Sequence, residues 1–179
     1  MTLDHRTALL VIDAQAGLLE DAARRSETIS CIRELVDRAR SRAVPVIYLQ
    51  HDGDPGGGLE VGSHGWQVHP DLAPADGDLV IRKRASDSFH ETALLEELRR
   101  RGVTTVVVTG LRTEACVDTT SRRAVTLGFD VLLAADGHTT SDSDVLTAEQ
   151  IVAHTNHTLD DFGTDAHVVT VRQGAAIDL

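Results

Sequence analysis

Only two cysteines occur in the 179 residues, Cys31 and Cys116, which excludes a disulfide framework as the source of stability. Aromatic residues make up 3% of the chain, and Trp66 is its single tryptophan, so any aromatic beside a candidate site is informative. Positive charge is scarce, and the formal net charge is −11. That deficit argues against nucleic acid as a partner, because phosphates need clustered Lys and Arg. It argues equally against a polybasic contact with a membrane. No apolar run approaches the roughly 18 residues of a membrane-spanning helix. Residues Met1 to Arg6 lead directly into a strand pattern and lack the layout of a signal peptide. A cytoplasmic protein is the expectation. No Gly-x-Gly-x-x-Gly follows the first strand, where Asp13-Ala14-Gln15-Ala16-Gly17 stands instead. A dinucleotide-dependent oxidoreductase is therefore disfavoured.

Ordinary globular composition remains, with 41% apolar residues in a length that suits one domain over 1–179. Ala8 to Ile12 is a continuous apolar run of strand length ending in Asp13. Residues 27–42 place Ile29, Ile32, Leu35, Val36 and Ala39 at helical spacing. Residues 44–49 read as a second strand, 79–81 as a third ending at Arg82-Lys83, and Glu91 to Arg101 as a helix stopped by Gly102. Val103 to Thr109 is the most β-branched strand, followed by a helix from Glu114 to Leu127. A strand at 129–134, a helix at 147–161 and a strand at 166–171 complete the series. Residues 51–78, with Gly56-Gly57-Gly58 and three prolines, are too long for a simple connection and read as a functional loop. Strand and helix alternate throughout. The expected fold is α/β, a single-domain, doubly wound, mostly parallel sheet of about six strands with helices on both faces. In such sheets a site lies beyond the carboxyl ends of the strands, where Asp13, Lys83 and the segment after Thr109 fall.

Cys116 follows the best strand, with Thr113 as a candidate N-cap that would put the cysteine at the third helical position. A helix start favours a thiolate, and its free amides suit an oxyanion. The bland alternative is a small residue packed on the sheet. Cys31, inside an amphipathic helix, reads as packing. Asp13 is either a cap for the following turn or a general base whose pKa is raised by burial. Alternation puts Lys83 on the face of Ile81 and opposite Arg82 and Arg84, so one inward lysine among outward arginines is a possibility beside a plain basic turn.

Asp13, the strand-end Lys83 and Gly110-Leu111-Arg112-Thr113-Glu114-Ala115-Cys116 occur in an order that resembles the isochorismatase-like cysteine hydrolases. The resemblance spans about residues 7–171, and Asp13-Ala14-Gln15 and Lys83 to Ser88-Phe89 support it. It implies a Cys116 nucleophile, proton relay by Asp13 and electrostatic support from Lys83. It also implies a cis Leu111–Arg112 bond that aims the Arg112 and Cys116 amides at an oxyanion. The implied activity is cysteine-dependent hydrolysis of a C–N bond in a small amide or lactam through a thioester, in the metal-free, streptothricin-hydrolase-like part of the superfamily. Gln15, Trp66, Phe89 and Arg112 are the candidate substrate contacts. No cofactor is expected, and relatives of this kind are dimers or tetramers. The metal-binding Asp-x-His pattern is not matched by His51-Asp52-Gly53-Asp54, and His51, His64 and His69 lie in or beside a glycine-rich loop, so no metal is expected. Two alternatives stand beside this reading: a non-catalytic binding protein on the same fold, and a metal-dependent nicotinamidase-like amidase.

Overall fold

The computed structural model describes residues 7–179. Strands β1 (Thr7–Ile12), β2 (Val46–His51), β3 (Leu79–Lys83), β4 (Thr105–Gly110), β5 (Asp130–His138) and β6 (Val169–Arg172) form one sheet in the order β3-β2-β1-β4-β5-β6. All its pairings are parallel. The helices are α1 (Ala16–Leu19), α2 (Arg25–Ser41), α3 (Leu94–Arg100), α4 (Asp118–Thr126) and α5 (Ala148–Leu159). Among the described residues no helix is long and apolar enough to cross a membrane.

The period-two geometry of a strand explains why β1 is apolar throughout. Ala8, Leu10 and Ile12 join a core with Leu94 and Leu98 of α3 and Ala124 and Val125 of α4. Leu9 and Val11 join a second core with Ile32, Leu35 and Ala39 of α2. The sheet is therefore covered on both sides, as the alternating pattern implied. Its strand order reverses between β1 and β4, and the crevice opened there is where open α/β sheets bind ligands. The strands approach closely at that point. Gly110 has φ +118°, and a Cβ on it would fall 1.9 Å from the Ile12 carbonyl oxygen, so only glycine fits.

Several elements differ from the sequence expectation, among them β6, which starts at Val169 rather than at 166. Helix α3 starts at Leu94 rather than Glu91, because Glu91 lies at φ +53° in a turn and the Thr92 hydroxyl accepts the Leu94 amide. The helix expected over 114–127 is split into a π-helical turn, Thr113–Val117, and α4. Strand β5 runs on to His138, past a register irregularity in its pairing with β4. The long loop after β2 is tied back by the Gln15↔Val68 bridge and carries a short 3-10 turn at Pro70–Leu72.

Candidate active site

Asp13 is the first residue past β1. Its φ of +47° turns the chain out of the sheet, a conformation that aspartate tolerates better than most side chains. Its amide donates to the Leu49 carbonyl at 2.8 Å and its carbonyl accepts from the Gln15 amide at 2.7 Å. The carboxylate is therefore held over the crevice, 1% exposed. Lys83 ends β3. Burial alternates along that strand, with Ile81 and Lys83 inside and Arg82 outside. The Lys83 ammonium donates to the Ala85 carbonyl at 2.9 Å, lies 2.8 Å from Asp13 Oδ2 and donates to Cys116 Sγ at 3.4 Å. Three residues far apart in sequence thus meet through one cation. The loop after Lys83 is fixed to α4, where the Thr120 hydroxyl donates to Ser88 Oγ at 2.9 Å and accepts the Ser88 amide.

Cys116 stands within the π-helical turn, which closes through the Val117 amide on the Arg112 carbonyl at 3.1 Å. Turns of this kind recur at functional sites. The Leu111–Arg112 bond preceding it is cis. Neither the Arg112 amide nor the Cys116 amide donates to a described residue outside this turn. Thr113 is not the N-cap that the sequence suggested. Arg112 occupies that place, while the Thr113 hydroxyl meets His138 Nδ1 at 2.9 Å.

The electrostatics correct a second expectation. Burial, and then the Asp13 carboxylate, push the Cys116 thiol up to about 11, against the opposing pull of Lys83. The resting sulfur is a thiol at neutral pH, not the thiolate expected from a helix start. Burial also raises the Asp13 carboxyl, while the Lys83 ammonium beside it pulls it down. A weakened acid beside a protonated thiol is an arrangement in which the carboxylate can take the thiol proton as sulfur forms a new bond.

The four candidate substrate contacts separate. Gln15 is fully buried. Its amide nitrogen donates to the His51 carbonyl at 3.0 Å and the Trp66 carbonyl at 2.7 Å, and its oxygen accepts the His51 amide at 2.9 Å. Its side chain thereby pins the loop through the main chain of His51 and Trp66 and makes no bond to the Asp13 carboxylate. Phe89 is also placed otherwise than expected, since its ring lies in the core, stacked on Phe129 with centroids 6.2 Å apart. Trp66 is half-buried, with its indole N–H on Asp52 at 2.9 Å and the Arg82 guanidinium 5.2 Å over its ring. Arg112 is half-buried and opens the cysteine turn. A cleft of about 370 Å³ borders Lys83 and is lined by Asp52, Ala85, His90 and Glu91.

Residues that sequence reading missed include Gln50, whose amide shares the Trp66 carbonyl with Gln15 at 2.9 Å. His51, weighed in the sequence only as a loop residue or metal ligand, lies at the end of β2. It pairs in register with Lys83, and its Nδ1 is buried without a partner among the described residues. Burial and then Lys83 hold its pKa below the ordinary value. Among the described residues, no three His, Cys, Asp or Glu side chains converge as metal ligands. Asp52 pairs with Arg82 and Asp54 with Arg84, while His69 caps the Pro70–Leu72 turn.

Comparison with known proteins points the same way. Residues 7–151 match the isochorismatase domain family model. The chain is 37% identical over 138 residues to a streptothricin hydrolase of Streptomyces noursei, covering 75% of this chain and 55% of that protein. It thus spans about half the length of that relative. An uncharacterized isochorismatase family protein of Bacillus subtilis is 34% identical over 141 residues, covering 75% of this chain and 74% of the relative. A ureidoacrylate amidohydrolase of Methylobacterium radiotolerans is 30% identical over 155 residues, covering 65% of this chain and 60% of the relative. Among solved structures, an isochorismatase from Pseudomonas putida superposes with TM-score 0.88 at 28% identity, covering 97% of this chain and 91% of the other. A cysteine hydrolase from Pseudomonas syringae superposes with TM-score 0.83 at 26% identity, covering 96% and 90%.

Proposed function

The chain belongs to the isochorismatase family, and from that premise we propose that it is a cysteine amidohydrolase that cleaves a C–N bond in a small non-peptide amide or lactam. The observation that carries the reading is the Lys83 ammonium in contact with both the Asp13 carboxylate and the Cys116 sulfur. A streptothricin hydrolase and a ureidoacrylate amidohydrolase among the relatives support C–N hydrolysis as the reaction class.

In this mechanism Cys116 Sγ attacks the substrate carbonyl carbon while its proton passes to Asp13. The Arg112 and Cys116 amides receive the oxyanion, each donor worth about 2.7–4 kcal/mol by the measure of other hydrolases. The C–N bond then breaks as Asp13 returns the proton to the leaving nitrogen, leaving a thioester on Cys116. Water attacks the thioester carbon and gives a proton to Asp13. The C–S bond breaks, an acid departs and Cys116 regains its proton. Lys83 keeps its charge throughout and holds the carboxylate and sulfur at fixed separation. Arg112 and Trp66 are the side chains proposed to face substrate, and assembly into dimers or tetramers belongs to the same reading.

The test is release of ammonia or amine from a panel of small amides and lactams, with streptothricin and ureidoacrylate included. Wild-type protein should release amine and accumulate an acyl group on Cys116, seen by mass spectrometry after acid quench. Release that persists in Cys116→Ala overturns the mechanism, and a panel with no hydrolysis favours a binding protein.

A further inference from the structure

A chain of three side chains leads from α5 to the cysteine turn. Asn156 Nδ2 donates to the Ala135 carbonyl at 3.0 Å, which directs its Oδ1 to His138 Nε2 at 2.9 Å. An amide oxygen can only accept, so Nε2 carries the imidazole proton. Nδ1 is then the acceptor, and the Thr113 hydroxyl donates to it at 2.9 Å. Each member is thereby fixed in orientation, and the Thr113–His138 contact is buried: His138 is 2% exposed and Thr113 fully buried. The Thr113 amide is held too, donating to the Thr139 carbonyl at 3.1 Å. Thr113 lies between Arg112 and Cys116, the two residues whose amides would bind the oxyanion.

We propose that Asn156, His138 and Thr113 are positioning residues that set the direction of the Arg112 and Cys116 amides, an inference that rests on the thiol-nucleophile reading above. Among the described residues none of the three hydrogen-bonds the sulfur, whose bond is to Lys83, and their action runs through the backbone of the turn. A hydroxyl anchored to a buried ring stops the turn from rotating about Thr113. Oxyanion stabilisation falls steeply when donors are misplaced by about 1 Å.

Two reactions of the same sulfur separate this role from general support of the fold. Acylation by p-nitrophenyl acetate forms an S–C bond at a carbonyl, passes through an oxyanion and expels p-nitrophenolate. Alkylation by iodoacetamide displaces iodide from a saturated carbon and builds no oxyanion. Wild-type protein is expected to give a burst of p-nitrophenolate with the acetyl group on Cys116. Thr113→Val and Asn156→Leu, each shown to be folded by circular dichroism, should slow that acylation by about 10- to 100-fold. Their alkylation at Cys116 should stay within about twofold of wild type, since that reaction does not use the donors. Thr113→Ser, which keeps the hydroxyl, should recover most of the acylation rate. Acylation unchanged in both variants, or acylation and alkylation falling together, overturns the positioning role alone. A wild-type protein that alkylates but never acylates at Cys116 overturns the nucleophile reading and this inference with it.

Discussion

The Lys83 ammonium and the Asp13 carboxylate lie 2.8 Å apart with side chains 0% and 1% exposed. A buried pair of this kind is held by mutual need. Removing one partner strands the other charge, typically at about 3–5 kcal/mol. The two charges also act on Cys116 with opposite sign, since Asp13 raises the thiol and Lys83 lowers it. Lys83→Met should therefore move thiolate formation above about 11, and Asp13→Asn should move it below. The pH dependence of Cys116 alkylation measures both shifts. Shifts in the same direction for the two variants would contradict the arrangement.

The same pair sets the pH profile of turnover. Asp13 acts in its ionised form, and burial raises its pKa from the ordinary 3.8. As pH falls through that raised value the base is lost, so the acid limb should lie above the usual carboxylate range. Activity should hold through neutral pH, where Cys116 remains a thiol. Asp13→Asn should abolish the acid limb and reduce kcat by about 10²-fold or more. A variant that keeps the wild-type acid limb would assign it to another group.

The path from sequence to site was uneven. The sheet was legible because its central strands β1, β2 and β4 bury both faces, while alternation around Ile81 left Lys83 open between an inward position and a basic turn, and the strand buries it. The meeting of Asp13 and Cys116 followed from the parallel topology, which brings the ends of β1 and β4 together. What local pattern missed was long-range partnership. Thr113 has the composition of an N-cap, yet its hydroxyl is claimed by His138 from a strand 25 residues on. Cys116 sits where a helix start would lower its pKa, but burial and a carboxylate from β1 reverse the sign. Gln15 resembled a substrate contact because polar residues beside a strand end often are. Its partners, the main chain of His51 and Trp66, are 36 and 51 residues away.

That bonding pattern makes Gln15 a stability residue. Gln15→Leu would orphan the His51 amide and carbonyl in a buried setting, while Gln50 still serves the Trp66 carbonyl. A buried unsatisfied group costs about 1–3 kcal/mol, so orphaning two should cost about 2–6 kcal/mol in denaturant unfolding. A change confined to KM, with stability intact, would return Gln15 to the substrate side.

Phe89→Ala should likewise act through the core. Its ring packs on Phe129 and is 8% exposed, and truncating a buried phenylalanine typically costs about 3–5 kcal/mol. Trp66→Ala should cost less stability, since the half-buried indole borders the loop. If the tryptophan stands at the substrate mouth, KM should rise. Equal destabilisation by the two variants, with KM unchanged in Trp66→Ala, would remove Trp66 from the candidate contacts.

The last expectation is metal independence, and it rests on what the loop carboxylates and imidazoles already hold. Asp52 accepts from the Arg82 guanidinium and the Trp66 indole. Burial would raise that carboxyl, but those two hydrogen bonds hold it below its ordinary range. Asp54 pairs with Arg84 at 3.1 Å. His69 Nδ1 accepts the Asp71 amide, and its Nε2 faces Arg25 at 3.1 Å. A cation entering here would have to displace two arginines and gather ligands that now point apart, whereas zinc needs about four donors in tetrahedral array. Exhaustive dialysis against chelator should leave amide turnover unchanged. Turnover that disappears on chelation and returns with zinc or manganese would instead make His51, His64 and His69 candidate ligands and require the loop to rearrange around the ion.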